Sequence, residues 1–133
     1  MIRLSDNPMI REDAGSKLVK KVSDLRAYQE AFAIALEVHK ASLQFPKTEQ
    51  YALADQMRRA SKSICANLAE SFARQKASEL EFKRFITIAI SSSDEMQVWT
   101  EFAQALDYID STTAAKWADK YDYISRMLQK LKA

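Results

Sequence analysis

Seven positions in the third quarter of the chain recur at alternating steps of four and three residues. They are Phe85, Ala89, Ser92, Met96, Trp99, Ala103 and Leu106. This spacing is typical of the apolar seam of a long helix that packs along other helices at small crossing angles. Helix breakers are scarce, because the whole sequence has one glycine and two prolines. The pattern therefore predicts an all-α protein built from long helices.

The composition is that of an ordinary globular chain. Its 133 residues are enough for one domain with a real core, and the formal net charge is only +2. Cys65 is the only cysteine, which excludes an intramolecular disulfide and a paired-cysteine metal knuckle. The first residues lack the apolar run of a signal peptide, and no apolar stretch reaches the roughly 18 residues of a membrane span. We therefore expect a cytoplasmic protein with no membrane partner.

Capping and breaking signals divide the chain into two parts. Residues 1–22 are polar and contain Gly15, and we expect them to form a flexible N-terminal arm. Residues 23–133 are expected to form four helices, over about 24–44, 49–74, 78–107 and from 111 onward. Their predicted N-caps are Ser23, Thr48, Ser78 and the segment 110–113. Long helices with short connections predict an antiparallel up-down-up-down four-helix bundle.

The other three helices each carry one apolar face at helical spacing. The face of helix one comprises Leu25, Tyr28, Phe32, Leu36, His39 and Leu43. The face of helix two comprises Leu53, Met57, Ala60, Ile64 and Leu68, with Ser71 and Phe72 at its far end. The face of helix four comprises Trp117, Tyr121, Ile124, Leu128 and Leu131. We expect these faces to meet in one core.

Helix three has more apolar surface than one seam requires. Leu80, Val98 and Phe102 lie on one side of the seam, and Ile86 and Ile90 lie on the other. A helix that is apolar most of the way round is buried on several sides. The surplus predicts an oligomer interface at Leu80, Val98 and Phe102. The alternative is that helices one and four simply cover more of helix three.

Residues for catalysis or metal binding are scarce. His39 is the only histidine and falls on the apolar face of helix one, where a hydrogen-bonded core residue is the commoner role. A ferritin-like di-iron site needs Glu-x-x-His pairs on two helices, which a single histidine cannot supply. Cys65 falls in mid-helix and is interpreted as a small packing residue. A phosphate-binding glycine loop is excluded by the single glycine, and no carboxylate pair stands out. We predict no catalytic residues, no metal, no cofactor and no enzymatic activity.

Seven basic residues lie between positions 56 and 86, against three acidic ones, which gives this stretch a net charge of +4 (7 − 3). They are Arg58, Arg59, Lys62, Arg74, Lys76, Lys83 and Arg84. The first three share one arc of helix two, opposite its core face. Such residues could neutralise phosphates and bind nucleic acid independently of its sequence. The alternative is an ordinary solvated helix face.

Polar residues also occur on the two most apolar helices. Asn67 and Glu95 could join a buried hydrogen-bond network that fixes helix register, with Glu70 as a third member, or they could be exposed. The spacing favours the network for Asn67, at the edge of the core face of helix two, and leaves both readings open for Glu95.

Several segments carry a resemblance to a known family. They are Phe45-Pro46-Lys47-Thr48-Glu49-Gln50-Tyr51, Gln56-Met57-Arg58-Arg59-Ala60, Ser63-Ile64-Cys65-Ala66-Asn67-Leu68-Ala69-Glu70, and Phe82-Lys83-Arg84-Phe85 with Ile88-Ala89 and 92–95. In this order they resemble the bacterial four-helix-bundle family first noticed as reading frames inside intervening sequences of large-subunit ribosomal RNA genes. The accessory subunit of diversity-generating retroelements is a related branch. The resemblance covers about 22–131.

The resemblance implies a bundle that assembles into a homopentameric barrel without known enzymatic activity. In the retroelement branch, the barrel has a basic surface, binds nucleic acid and docks a reverse transcriptase. Arg58, Arg59 and Arg74 match basic positions of the family motif, and Asn67, Glu70 and Glu95 match polar ones. The chain departs from the family pattern at Cys65, where proline is usual, and at Ser71 and Ser91, where glycine is usual. These departures should make helices two and three straighter.

Two functions remain open from the sequence. The first is a non-catalytic homo-oligomeric adaptor that binds structured RNA or other nucleic acid through basic helix faces. The second is a protein-interaction scaffold, such as a reverse-transcriptase accessory subunit. An enzyme would need a bound metal or a carboxylate site that the sequence does not reveal.

Overall fold

The computed structural model describes residues 21–133 in full and the backbone of residues 10–11 and 18–19. Four long helices dominate these residues: α1 Arg26–Ser42, α2 Leu53–Arg74, α3 Glu79–Ala105 and α4 Ser111–Lys132. Two short strands, β1 Ile10–Arg11 and β2 Leu18–Val19, pair antiparallel. Of the rest of the predicted flexible arm, 1–22, only Lys21 and Val22 are described: Lys21 is exposed, and Val22 is half-buried against the core. The other residues of the arm lie outside those described.

The four helices form an all-α bundle, as the sequence predicts. Each helix packs on its neighbour in the sequence, and α1 also packs on α4. Two ion pairs join α1 to α4: Lys120 binds Glu30, and Lys116 binds Glu37. The residue numbers therefore rise along α1 as they fall along α4.

The predicted core faces of α2 and α4 are confirmed. Met57, Ala60, Ile64, Leu68 and Ser71 of α2 are buried, and Leu53 and Phe72 are half-buried. Trp117, Tyr121, Ile124 and Leu128 of α4 are buried, and Leu131 is half-buried. Each of these helices has a wide apolar face on one side and a charged face on the other. Only one orientation of such a helix removes most of its apolar surface from water.

The core face of α3 is rotated from the predicted seam. Its buried residues are Phe82, Ile86, Ala89, Ile90, Ser93, Met96, Thr100 and Ala103. Phe85, Ser92 and Trp99 are only half-buried, and Leu106 is exposed. The rotation places Ile86 and Ile90 in the core instead of on a flank. Two polar side chains occupy the core because they bond to backbone carbonyls: Thr100 donates to Met96 O at 2.7 Å, and Ser93 donates to Tyr121 O at 3.0 Å.

The predicted core face of α1 is wrong. Its buried residues are mostly small: Ala27, Ala31, Ile34, Ala35, Val38 and Ser42. Phe32 and Leu36, predicted to be core, are each 49% exposed, and Leu43 is exposed as well. Leu25 alone of the predicted set is fully buried, just before the helix begins. Small side chains allow α1 to approach α2 and α4 closely, and this packing leaves its larger apolar side chains on the outside.

Two of the predicted N-caps are confirmed and two are wrong. Ser78 Oγ accepts a hydrogen bond from Glu81 N at 3.1 Å, and Asp110 Oδ1 accepts one from Thr113 N at 2.7 Å. The bond from Thr113 lowers the pKa of Asp110. Ser23 lies in a short 3₁₀ turn before α1, and Thr48 lies in another before α2. Glu49 takes over the role at α2, because its Oε1 accepts from Leu53 N at 3.2 Å.

Candidate nucleic-acid interface and exposed apolar surfaces

Four of the seven predicted basic residues lie together where α2 ends and α3 begins. We call Arg74, Lys76, Lys83 and Arg84 the turn cluster. Its centre is Phe85, because the guanidinium carbons of Arg74 and Arg84 lie 5.4 and 5.3 Å from the centre of that ring. Cations over an aromatic face are attracted by its negative quadrupole, so the ring holds both guanidinium groups near the surface.

Carboxylates partly neutralise the turn cluster. Arg74 binds Glu70 at 2.9 Å and reaches Glu81 at 3.8 Å, where Arg84 also lies at 3.4 Å. Lys83 binds Glu79 at 3.3 Å. Lys76 is exposed and pairs with no residue in the described part of the chain. The four cations and three carboxylates leave a local net charge of +1 (4 − 3), and exposed pairs of this kind are weak.

Arg58 is half-buried and bonds to the α1–α2 connection instead of lying free on the predicted outer arc. Its Nη1 donates to Ser42 Oγ at 2.8 Å and to Gln50 Oε1 at 3.2 Å, and its Nη2 donates to Gln50 O at 2.8 Å. Gln50 Nε2 in turn donates to the backbone oxygens of Ser42 and Phe45. Arg58 therefore ties the α1–α2 connection to α2. Both of its terminal nitrogens already donate hydrogen bonds within the protein.

Arg59 and Lys62 are exposed on α2, as predicted, but they are separate from the turn cluster. Arg59 has one long contact, 3.9 Å to Asp55. Lys62 precedes Arg74 by twelve residues, which corresponds to about 18 Å along the helix. The seven predicted residues thus form a cluster at the α2–α3 turn, an exposed pair on mid-α2 and one half-buried arginine.

Lys62 contacts the only histidine. Its Nζ lies 3.0 Å from His39 Nδ1, and because an ammonium group can only donate, Nδ1 accepts. The positive charge of Lys62 lowers the pKa of His39, and desolvation and Arg58 act in the same direction. His39 is therefore neutral at pH 7 and lies at the rim of a surface groove, not in the core as predicted.

That groove lies between α1 and α2 and is lined mainly by apolar side chains. We call it the α1–α2 groove; its volume is about 410 Å³ and its walls include Tyr28, Phe32, Leu36, His39, Lys62 and Cys65. Desolvation by burial raises the pKa of the Cys65 thiol to about 11, so the thiol stays protonated at neutral pH. The predicted packing role of Cys65 fits this environment, since a protonated thiol is a poor nucleophile.

A second apolar surface lies on the outside of α3. Val98 and Phe102, two of the predicted interface residues, are exposed one turn apart, and Phe102 is 52% exposed. Glu95 shares this helix face and Glu101 borders it, and both are exposed. We call these four residues the α3 outer surface. Leu80, the third predicted interface residue, is 77% exposed but precedes Val98 by eighteen residues, or about 27 Å along the helix.

The predicted polar network forms around Asn67, but it includes neither Glu70 nor Glu95. Asn67 Nδ2 donates to Ser63 O at 2.8 Å and to Ser63 Oγ at 3.0 Å, and Ser63 Oγ lies 2.8 Å from Ser92 Oγ. This chain of bonds joins α2 to α3. Glu70 binds Arg74 at the surface. Glu95 is exposed and bonds to no described residue, which excludes it from the network.

Two sets of polar contacts between helices were not predicted from the sequence, and neither was the α1–α2 groove. Ser125 Oγ on α4 lies 2.7 Å from Asp94 Oδ1 and 2.8 Å from Ser93 Oγ on α3. Glu37 on α1 accepts hydrogen bonds from Trp117 Nε1 at 2.7 Å and from Lys116 at 2.9 Å. The groove had a signal in the sequence: Ala27, Ala31, Ala35 and Val38 recur at helical spacing beside the larger apolar residues.

The described residues show neither a metal-binding group of side chains nor a membrane-spanning helix. Over residues 21–133, no three side chains of histidine, cysteine, aspartate or glutamate are grouped so that they could hold a metal ion. Within the same range, no helix combines the length and the apolar character needed to cross a bilayer.

Comparison with known proteins gives one result that covers most of the chain. No curated protein matches this sequence. A family profile described as 23S rRNA-intervening sequence protein matches residues 23–130, which include α1, α2, α3, all but the last two residues of α4, the turn cluster and both apolar surfaces. The chain therefore belongs to the 23S rRNA-intervening sequence protein family.

Proposed function

We propose that this protein is a non-catalytic, homo-oligomeric adaptor that binds structured RNA or another nucleic acid through basic helix faces. In this proposal the bundle is antiparallel and up-down-up-down, five copies assemble into a barrel, and the protein acts in the cytoplasm without a cofactor. The name of the family relates its members to ribosomal RNA, which supports an RNA ligand.

The turn cluster is the observation that carries the nucleic-acid part of the proposal. Arg74 and Arg84 are held at the surface by Phe85, and Lys76 and Lys83 lie on the same turn. Guanidinium groups bind phosphates in a bidentate manner, and the exposed carboxylate partners are weak competitors. The cluster offers no row of exposed aromatic side chains, so contact with phosphates is favoured over stacking on bases.

Assembly would compensate for the low charge of a single cluster. One copy has a net charge of only +1 at the turn, which is too little for tight binding by itself. An oligomer repeats the cluster, and each further contact forms at a high effective concentration once the first is made. Exposed Val98 and Phe102 supply apolar surface for this assembly, and opposed numbering along α1 and α4 supports the antiparallel topology.

Fluorescence anisotropy with a labelled RNA hairpin, at several salt concentrations, tests the proposal. With about four phosphate contacts, affinity should fall roughly a hundredfold between ~50 and ~200 mM salt. A Lys76→Gln and Arg84→Gln double variant should bind at least about tenfold more weakly at low salt. Arg126→Gln, which removes a charge from an exposed pair with Asp122 on α4, is the matched control and should leave binding unchanged.

The assembly part has its own test. Phe102→Asp should convert the oligomer to a smaller species by light scattering while circular dichroism and the melting curve stay close to wild type. The same variant should bind RNA more weakly, because it presents fewer clusters at once. Absence of RNA binding by an intact oligomer at low salt would rule out the nucleic-acid function.

The carboxylates around the turn cluster favour a second candidate, a protein-interaction scaffold. If Glu70, Glu79 and Glu81 neutralise the arginines in practice, the apolar surfaces become the main binding features. One partner for these apolar surfaces is a reverse transcriptase. The protein would then be an accessory subunit of a diversity-generating retroelement. Co-purification of a protein partner that survives nuclease treatment and high salt would favour this candidate over the adaptor.

A further inference from the structure

The α1 helix exposes its large apolar side chains and buries its small ones. Phe32 and Leu36 are half-exposed, whereas Ala27 and Ala31 on the opposite side are in the core. A single turn separates Phe32 from Leu36, so they form one continuous apolar stripe along α1. With Tyr28 and Cys65 they line the α1–α2 groove, whose volume of about 410 Å³ is enough for several side chains. An exposed apolar surface of this kind is typical of an interaction site.

The α3 outer surface is a second apolar feature, and it differs from the groove in shape. Val98 and Phe102 project from one helix, and Phe102 also lines a shallow groove between α2 and α3 with Leu53 and Leu106. The groove between α1 and α2 is concave and the α3 outer surface is a ridge. The two features involve different helix pairs, on either side of α2.

The charges beside the two features are opposite in sign. Lys62 lies in the wall of the α1–α2 groove. Exposed Arg59 precedes it by three residues on the same helix, and its only ion pair among the described residues is the long, exposed contact of 3.9 Å with Asp55. Glu95 and Glu101 accompany Val98 and Phe102 on α3, and neither glutamate bonds to a described residue. An apolar groove edged by two cations and an apolar ridge edged by two carboxylates are complementary, which steers docking and suppresses contact between like surfaces.

We infer that the α1–α2 groove of one copy receives the α3 outer surface of a second copy. Phe102 and Val98 then pack against Phe32, Leu36 and Tyr28, and the glutamates lie near Lys62 and Arg59. The inference rests on the homo-oligomer proposed above and adds which two surfaces meet. It also separates Leu80 from the interface, because that residue lies at the other end of α3.

The contact is heterologous, since two different surfaces of the chain take part. Each docking event leaves one free groove and one free α3 outer surface at the ends of the assembly. Copies therefore add head to tail until the rotation between them closes a ring. A pair of identical surfaces meeting face to face would instead stop at a dimer.

Mixing two assembly-defective variants tests this arrangement. Leu36→Asp should block the groove and Phe102→Asp should block the α3 outer surface, and light scattering should find each variant monomeric. Mixed in equal amounts they should form a pair with the mass of two chains, because one intact groove meets one intact α3 outer surface. Tyr51→Asp is the matched control, since Tyr51 is 96% exposed and lines neither feature, and this variant should assemble like wild type.

A charge exchange gives an independent test that leaves the apolar residues in place. Lys62→Glu should weaken assembly by at least about tenfold at low salt, because three glutamates then face each other. Adding Glu95→Lys and Glu101→Lys to the same chain should restore it. All three side chains are exposed, so this set of variants decides the question if Leu36→Asp fails to fold.

The outcomes separate the inference from the proposal on which it rests. A wild-type monomer would overturn both. A wild-type oligomer that survives Leu36→Asp and Lys62→Glu, yet is lost with Phe102→Asp, would overturn the inference and leave the homo-oligomer standing. A mixture that stays monomeric would also overturn it, because two like surfaces would then form the contact.

Discussion

Arg58 and Gln50 are joined by two hydrogen bonds, one to each oxygen of the glutamine. Nη1 of Arg58 donates to Oε1 at 3.2 Å, and Nη2 donates to the backbone oxygen at 2.8 Å. Gln50 belongs to the connection between α1 and α2, and Arg58 also reaches Ser42 at the end of α1. This planar fork therefore fixes where α1 ends relative to α2, and with it the geometry of the α1–α2 groove.

Replacing Arg58 with lysine should destabilise the fold although the charge is kept. A lysine has a single ammonium nitrogen in place of the planar fork, so at least one of the two oxygens of Gln50 would lose its donor. We expect the free energy of unfolding in urea to fall by about 1–3 kcal/mol. Arg59→Lys is the matched control, and it should change stability by less than about 0.5 kcal/mol because Arg59 is exposed. Equal losses in the two variants would contradict the structural role of Arg58.

The sequence predicts the four helices and the core faces of α2 and α4 because each of those two helices has one apolar face. It fails for α1, where two apolar faces compete: the alanine face packs close, and the face with Phe32 does not. For α3 the sequence predicts a core face that is rotated from the observed one. Thr100 belongs to the observed face because its hydroxyl bonds to the carbonyl of Met96, and a pattern of apolar residues does not include a threonine. The sequence also fails for Arg58, which is predicted to bind phosphates because it is basic. Its hydrogen-bond partners lie eight and sixteen residues away in the chain, so no local pattern reveals its structural role.

Glu37 should stabilise the α1–α4 contact in a pH-dependent way. Burial raises its pKa, but hydrogen bonds from Trp117 and Lys116 outweigh that effect, and the net pKa is lowered from 4.5. A lowered pKa in the folded state means that the contribution is present above about pH 4.5 and is lost as the pH falls through the folded value. We expect Glu37→Gln to cost about 0.5–1 kcal/mol at pH 7 and almost nothing at pH 3, measured by urea unfolding.

Glu37→Ala extends this test, because alanine also removes the acceptor of the buried Trp117 Nε1. It should cost about 1–3 kcal/mol at pH 7 and keep part of that cost at pH 3. A penalty for Glu37→Gln that grows on acidification would contradict the assigned direction of the pKa shift.

Asp107 ends α3 in the left-handed conformation, with φ of 63°. Asp107 N donates to Gln104 O at 2.9 Å, and Tyr108 N donates to Ala103 O at 2.8 Å, which is the pattern of a Schellman cap. Glycine adopts this conformation without a Cβ clash, so Asp107→Gly should raise the free energy of unfolding by about 0.5–1 kcal/mol. The melting temperature should rise in step, and Asp119→Gly within α4 should lower it because φ there is helical. A loss of stability with Asp107→Gly would contradict the cap.

His39 provides a direct readout of Lys62, because the chain has no other histidine. Lys62 is the main cause of the lowered pKa of His39, so Lys62→Gln should raise that pKa toward 6.5 in an NMR titration of the imidazole protons. The folded state disfavours the protonated imidazole, so stability supported by neutral His39 is present above pH 6.5 and is lost as the pH falls through the folded value. Because Lys62→Gln brings the folded pKa of His39 closer to the unfolded one, the variant should lose less stability on acidification than the wild type does. Arg59→Gln is the control and should leave the titration unchanged, since Arg59 does not contribute to the shift. An unchanged or lower pKa in Lys62→Gln would show that the contact at the groove wall is not formed.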